Sequence, residues 1–216
     1  MRILTSLALI GQYFFSMYNL ILASSSQNRK ALLSQVGIPF IVEEPTCNEK
    51  EIQADCSIGI TQKRAFAKMK SVAQKHKNEN CIVIGADTVI DVSGTIFGKP
   101  RTKDEARLML DSYSASSHIV VSSIALMNTQ TNKVEQASST SRVYFKKLIK
   151  SEIETYLKTN DWEGVAGGYK IQGLASLFIE KIEGSYSGIV GFPLSEFYAC
   201  LKSLCNDMEL FQLVLT

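Results

Sequence analysis

Cys81-Ile82-Val83-Ile84-Gly85-Ala86 predicts a strand buried on both faces, because small and apolar residues follow one another without a polar residue between them. Asp87 follows at the carboxyl end of this strand, the edge at which open α/β sheets hold their ligands. A carboxylate there can bind a metal, take a proton from water, or cap the turn into Thr88. Residues 88–97 are typical of a hairpin with its turn at Ser93-Gly94.

The chain before this strand alternates predicted strands and helices. Leu20 to Ala23 indicates a short buried strand, and serines 24–26 can cap a helix over Arg29 to Val36. A second strand is predicted at Phe40 to Glu43, and a long, partly exposed helix from Asp55 to His76.

The chain after the hairpin continues in the same way. The predicted elements are a helix from Thr102 or Lys103 to Tyr113, antiparallel strands Ile119 to Met127 and Val134 to Phe145, a helix from Lys150 to Lys158, a strand from Ser176 to Ile182, a loop from Gly184 to Gly191, and a terminal helix opened by Pro193. This order predicts an α/β fold: a mixed twisted sheet flanked by helices, in two lobes with a central cleft.

Composition favours one compact domain. The chain has 216 residues, 45% hydrophobic and 20% charged, which is ordinary for a globular protein. We predict a single domain over residues 20–205, preceded by an extension or misassigned start at residues 1–19, with Met17 as an alternative first residue, and followed by a tail at residues 206–216. The net charge of +2 is too small for a nucleic-acid footprint.

The cysteines favour a reducing compartment. There are five cysteines, an odd number, with no CxxC pair, and the chain has only two histidines. Neither a disulfide framework nor the usual zinc spacing is therefore present.

Residues 1–22 hold an apolar stretch that resembles a signal peptide, but Gly11, Gln12 and Asn19 interrupt it. We therefore expect a cytoplasmic protein without a membrane partner.

The segment Ser24 to Lys30 joins a strand to a helix start, where free backbone N–H groups and the helix dipole favour an anion. Arg29 adds a bidentate phosphate donor. The alternative is plain helix capping by serine.

Single residues elsewhere are ambiguous. Residues 94–100 do not form a Walker motif, because the glycines are too close and Pro100 replaces the magnesium-binding hydroxyl, although Lys99 can still reach a phosphate. Glu49 is expected to be solvated, and Lys68 lies in a lysine-rich helix that is typical of a solvent face. Gln172 carries an amide that can read a base edge.

Four segments in one order resemble the Maf family: LILASSSQNRKALLSQVGIPF, VIGADTVI, GKPRTKDEARLML and IQGLASLFIEKIEGSYSGIVGFPL. The likeness extends from Leu20 to about Leu201. It implies a Maf/ITPase-like fold and an enzyme that converts a nucleoside triphosphate to the monophosphate and pyrophosphate with a divalent metal ion, magnesium or manganese. A homodimer is also implied.

The resemblance assigns roles to residues. Asp87 matches the acid-base residue that activates water, and Glu49 matches a second carboxylate for the metal. The phosphate-holding positions are Ser24, Arg29, Lys68 and Lys99, with Arg64 and Lys70 as rival alignments for Lys68.

Substrate choice in the family is associated with positions that correspond here to Asn28, Thr88 and Gln172. Thr88 and Gln172 resemble the dTTP/UTP-cleaving subgroup, whereas Asn28 replaces its arginine. Lys170 stands where the family usually has a small residue. A modified or methylated purine nucleotide is the alternative substrate, and a non-catalytic nucleotide-binding regulator of cell division is the alternative function.

Overall fold

The computed structural model describes residues 19–205. The strands are β1 (Asn19–Ala23), β2 (Ile41–Glu43), β3 (Cys81–Val92), β4 (Thr95–Phe97), β5 (Ser117–Asn128), β6 (Val134–Phe145) and β7 (Ile179–Glu183). The helices are α1 (Gln27–Gln35), α2 (Ser57–Ala73), α3 (Lys103–Tyr113), α4 (Lys150–Leu157), α5 (Tyr186–Val190) and α6 (Leu194–Cys205). Short 3-10 turns occupy Glu49–Glu51, Ala166–Gly168 and Leu174–Phe178.

The strands form one mixed sheet in the order β2-β1-β3-β5-β6-β7, with β4 paired to β3. β1 runs parallel to both β2 and β3, and the remaining pairs are antiparallel. The predicted α/β fold with a mixed sheet is confirmed.

β3 is longer than the sequence predicted. Its parallel pairing with β1 ends at Gly85, but antiparallel pairing with β5 continues from Ile82 to Asp91. Asp87 therefore lies within a strand, and its predicted position at a strand end is wrong. It still lies just beyond the end of β1, where the parallel part of the sheet opens.

The buried apolar residues form separate clusters around the sheet. One cluster packs α1 and α6 against β1 and the first half of β3, and another packs α3 and α4 against β6 and the second half of β3. A third lies between α2 and the opposite face of β1 and β3.

Two predicted elements near the end were wrong in detail. Residues 174–178 form a 3-10 turn, so the last strand begins at Ile179 rather than at Ser176. The predicted loop from Gly184 to Gly191 contains the short helix α5, which Ser185 caps by accepting a hydrogen bond from the Gly188 amide.

Residues 1–18 of the extension predicted at 1–19, and the tail predicted at 206–216, lie outside the described residues, whereas Asn19 begins β1. Within residues 19–205, no helix is long and apolar enough to cross a membrane.

Candidate active site

A buried lysine joins two carboxylates at the centre of the candidate site. Lys68, on α2, is only 6% exposed, and its Nζ donates to Asp87 Oδ1 at 2.7 Å and lies 2.8 Å from Glu49 Oε2. Asp87 is 5% exposed on β3, whereas Glu49 is half-buried at the start of the 3-10 turn that Asn48 caps. The single ammonium charge lies between the two carboxylates, and it partners the buried Asp87 where water is excluded, whereas the Glu49 side chain is also exposed to solvent.

Asp87 keeps one oxygen uncommitted. Its Oδ2 is buried without a hydrogen-bond partner, and Arg64 Nη1 lies 4.0 Å from it. A buried carboxylate oxygen without a partner is costly unless a ligand completes it. Two carboxylates beside a cleft are suitable oxygen donors for a hard divalent cation, so Asp87 and Glu49 fit the metal site that the resemblance implies.

Arg29 is held at the start of α1 by three acceptors. Its Nη1 donates to Ser24 Oγ at 3.1 Å, its Nε to the Gly191 carbonyl at 3.0 Å, and its Nη2 to Thr88 Oγ1 at 3.4 Å. Burial lowers the pKa of Arg29, while the carboxylates of Asp87 and Glu49 oppose that shift. The three hydrogen bonds hold the guanidinium in a fixed orientation.

The amino end of α1 has no side-chain cap. Ser26 occupies the N-cap position, but its side chain makes no capping hydrogen bond. Its amide donates instead to Ser24 Oγ at 3.2 Å, and Ser25, Gln27 and Asn28 line the cleft beside it. The first-turn amides thus remain available to an anion.

The Thr88 side chain is held in place by a hydrogen bond to the neighbouring strand β5. Its Oγ1 lies 2.8 Å from Ser122 Oγ on β5, and Ser122 donates in turn to the Gly188 carbonyl at 2.6 Å. These two hydrogen bonds connect β3, β5 and α5 beneath the cleft.

The remaining predicted residues line the same cleft, which has a volume of about 570 Å³. They are Asn28, Lys99, Lys170 and Gln172. Burial, together with the charges of Arg29 and Lys68, lowers the pKa of Lys99. Lys170 Nζ lies 3.2 Å from Asp161 Oδ1.

The structure brings the sequence-predicted site residues together, with Ser24 lying behind Arg29. The solvent-face prediction for Lys68 is wrong, and of its two rivals Arg64 lines the cleft whereas Lys70 is exposed and lies outside it. Sequence reasoning missed Ser122; its signal was a pair of serines inside the apolar strand β5.

An open cleft lies beside the end of the parallel strands of this mixed sheet, and its lining holds several cations together with the carboxylates of Glu49, Asp87 and Glu163. Such a cleft is typical of α/β proteins that bind small anionic ligands. The chain belongs to the Maf family, since residues 19–204 match the family model described as Maf-like protein.

The matches to bacterial relatives span nearly the whole length of those relatives. The dTTP/UTP pyrophosphatase of Treponema denticola is 41% identical over 86% of this chain and 97% of its own. Those of Halalkalibacterium halodurans and Hydrogenovibrio crunogenus are both 40% identical over 85% of this chain and 94% of theirs. Among solved structures, the Ham1 protein of Staphylococcus aureus is similar with a TM-score of 0.41 at 12% identity, covering 59% of this chain and 71% of that one.

Proposed function

We propose that this chain is a nucleoside triphosphate pyrophosphatase that hydrolyses dTTP or UTP to the monophosphate and pyrophosphate. The observation that carries the proposal is the buried Lys68 between Asp87 and Glu49, beside Arg29, in a cleft of nucleotide size. Relatives at about 40% identity that bear the name dTTP/UTP pyrophosphatase support the substrate.

In this proposal Asp87 is the general base. Its Oδ1 is committed to Lys68, so the free Oδ2 accepts the proton of the attacking water. Lys68 then keeps the carboxylate oriented toward that water, as a base-positioning contact requires.

The cations act on the triphosphate. Negative charge grows on the phosphoryl oxygens during an in-line attack, and preorganised donors stabilise it. Arg29 offers a planar donor group held in place by Ser24 and Gly191, and Lys99 offers a point charge. Glu49 and Asp87 would hold a magnesium or manganese ion, which supplies further charge neutralisation when bound.

Base selection is proposed to come from Asn28, Thr88 and Gln172. Their amide and hydroxyl groups line the cleft and can hydrogen-bond the edge of a pyrimidine. A site built to hydrogen-bond a substrate group rejects analogues that lack that group.

The test is pyrophosphate release from a panel of canonical and modified nucleoside triphosphates, with magnesium and with manganese. Selective release from dTTP and UTP is the expected result. Faster release from a methylated or other modified purine nucleotide would replace the pyrimidine substrate with the alternative one. Tight nucleotide binding without release from any member would instead favour a regulator of cell division.

We further propose a homodimer in the cytoplasm. The dimer is supported by the resemblance to the family, and the cytoplasm by the five free cysteines at residues 47, 56, 81, 200 and 205. Light scattering after size exclusion tests the dimer: a mass near 47.8 kDa, twice the chain mass of 23.9 kDa, is expected, and the monomer mass would contradict it.

A further inference from the structure

A histidine, a glutamate and a cysteine converge at the end of β3 remote from Asp87. His76 follows α2, Cys81 begins β3, and Glu79 lies on the connection between them. One ring nitrogen of His76, one carboxylate oxygen of Glu79 and the Cys81 sulfur all lie within 4.8 Å of one another. This cluster shares no residue with the cleft.

The spacing of these atoms suits one tetrahedral metal ion. Zinc bonds of about 2.0 to 2.3 Å to nitrogen, oxygen and sulfur place neighbouring ligand atoms roughly 3.3 to 3.8 Å apart. His76 Nδ1 lies 2.8 Å from Glu79 Oε2, and Cys81 Sγ lies 3.7 Å from the same oxygen. Small side-chain rotations therefore open a site among the three atoms.

A fourth side chain orients the histidine. Glu43 Oε2, on β2, lies 2.6 Å from His76 Nε2. A carboxylate on the outer ring nitrogen of a metal-binding histidine holds the Nε2–H tautomer and leaves Nδ1 free to bind the ion. In the absence of an ion, the two ring nitrogens of His76 lie within hydrogen-bond distance of Glu43 and Glu79.

Charge and backbone also favour a cation. Glu43 and Glu79 carry two negative charges, and Lys75, whose Nζ lies 2.6 Å from Glu43 Oε1, cancels one of them. The carboxyl end of α2, directly before this segment, contributes the negative end of its dipole.

The connecting turn is already folded into position. Asn78 adopts a left-handed conformation with φ of 70°, and the Glu79 amide donates to the His76 carbonyl at 3.2 Å. Thr129 Oγ1 donates to the Glu79 carbonyl at 2.7 Å and accepts from the Cys81 amide at 3.1 Å. The ligands thus need little ordering to bind an ion.

We propose that His76, Glu79 and Cys81 bind a zinc-type divalent ion, with Glu43 as the partner of His76 and water as the fourth ligand. The pattern His-x2-Glu-x-Cys differs from the usual zinc spacings, so the sequence alone did not indicate it. A metal binds cysteine as the thiolate, so binding converts the Cys81 thiol to a thiolate and releases its proton to the buffer. Binding of the ion involves no oxidation or reduction.

The test is a cobalt(II) titration of the full chain with excess magnesium present to occupy the cleft carboxylates. A cobalt–thiolate charge-transfer band that saturates at one equivalent is expected, and excess zinc should abolish it. Cys81→Ala should lose the band. Cys47→Ala, which removes a half-buried thiol whose pKa is raised by burial and by Glu49, should keep it.

His76→Gln provides a second, less disruptive variant, because His76 is part-exposed. It should weaken cobalt binding at least about tenfold, and it decides the question if Cys81→Ala does not fold. A band that persists in Cys81→Ala, unchanged affinity in His76→Gln, or no band in the wild type would overturn the proposal. These readouts do not involve turnover, so they are independent of the proposed pyrophosphatase activity.

Discussion

Lys68 has a different role from the exposed lysines of its helix because it is buried. Its helix is rich in lysine, yet this side chain is 6% exposed and contacts two carboxylates. Removing one partner from a buried ion pair leaves an uncompensated charge, which costs roughly 3 to 5 kcal/mol. The local sequence cannot show this, because the partners are 19 residues away on each side, at positions 49 and 87.

Lys68→Gln should therefore reduce both stability and turnover. We expect turnover to fall at least about a hundredfold, since the Asp87 base loses the contact that orients it. Lys70→Gln is the matched control on the same helix, because Lys70 is exposed and lies outside the cleft. Steady-state kinetics of both variants decide the assignment, and equal activity would return Lys68 to a structural role.

Lys99 gives a pH-dependent prediction. Burial and the nearby Arg29 and Lys68 lower its pKa, so it loses its positive charge at a lower pH than an ordinary lysine. If Lys99 holds phosphate, kcat/KM should fall as the pH rises through this lowered pKa. Lys99→Arg should move that alkaline limb to higher pH, because arginine stays protonated. An alkaline limb that does not move would remove Lys99 from the phosphate-binding set.

At the scale of elements, the site depends on how closely α2 packs against β3. A Cβ atom at Gly85 would lie 2.1 Å from the Ala65 carbonyl oxygen and 2.6 Å from the Met69 amide nitrogen. Both belong to the backbone of the helix that carries Lys68. The small residue therefore sets the distance between Lys68 and Asp87.

Gly85→Ala should separate α2 from β3. We expect the free energy of unfolding to fall by about 1 to 3 kcal/mol, the typical cost of overpacking. Gly98→Ala is the control, because a Cβ there meets nothing within 4 Å. Urea unfolding measures both, and equal stability would contradict this account of the packing.

The elements also show what the sequence could predict. The strands predicted at Cys81 to Ala86 and Ile119 to Met127 follow from their apolar residues, and the hairpin over residues 88–97 follows from its turn residues. The continuity of β3 through Asp87 depends on pairing with β5, which is a tertiary contact. Helix α5 spans only five residues, too few for a periodic pattern. The convergence of Glu49, Lys68 and Asp87 came only from the family resemblance, because no local pattern links residues on three different elements.

At the scale of the whole molecule, the buried His118 makes the stability of the fold depend on pH. It is 2% exposed, its Nε2 is 2.8 Å from the Tyr169 hydroxyl, and its ring lies 4.3 Å from that of Tyr113. Burial lowers its pKa from 6.5 to about 4. The unfolded chain therefore binds a proton below about pH 6.5 that the folded chain does not, and stability falls as the pH drops toward 4.

His118→Gln should remove this dependence. Between about pH 7.5 and pH 5 the wild type should lose about 2 kcal/mol more unfolding free energy than the variant does. The glutamine lowers stability at both pH values by losing ring contacts, so the difference between the two pH values is the informative quantity. His76, whose raised pKa acts in the opposite direction, is present in both proteins and cancels. An equal pH dependence would contradict the buried neutral histidine.

The central claim is that Asp87 activates water to release pyrophosphate from a nucleoside triphosphate. The most direct measurement is pyrophosphate release from dTTP and UTP with magnesium, by the wild type and Asp87→Asn side by side, with nucleotide binding measured for both. We predict monophosphate and pyrophosphate from the wild type, and in the variant retained binding with turnover at least about a hundredfold lower. Near-normal turnover in Asp87→Asn, or no pyrophosphate from the wild type, would contradict the account.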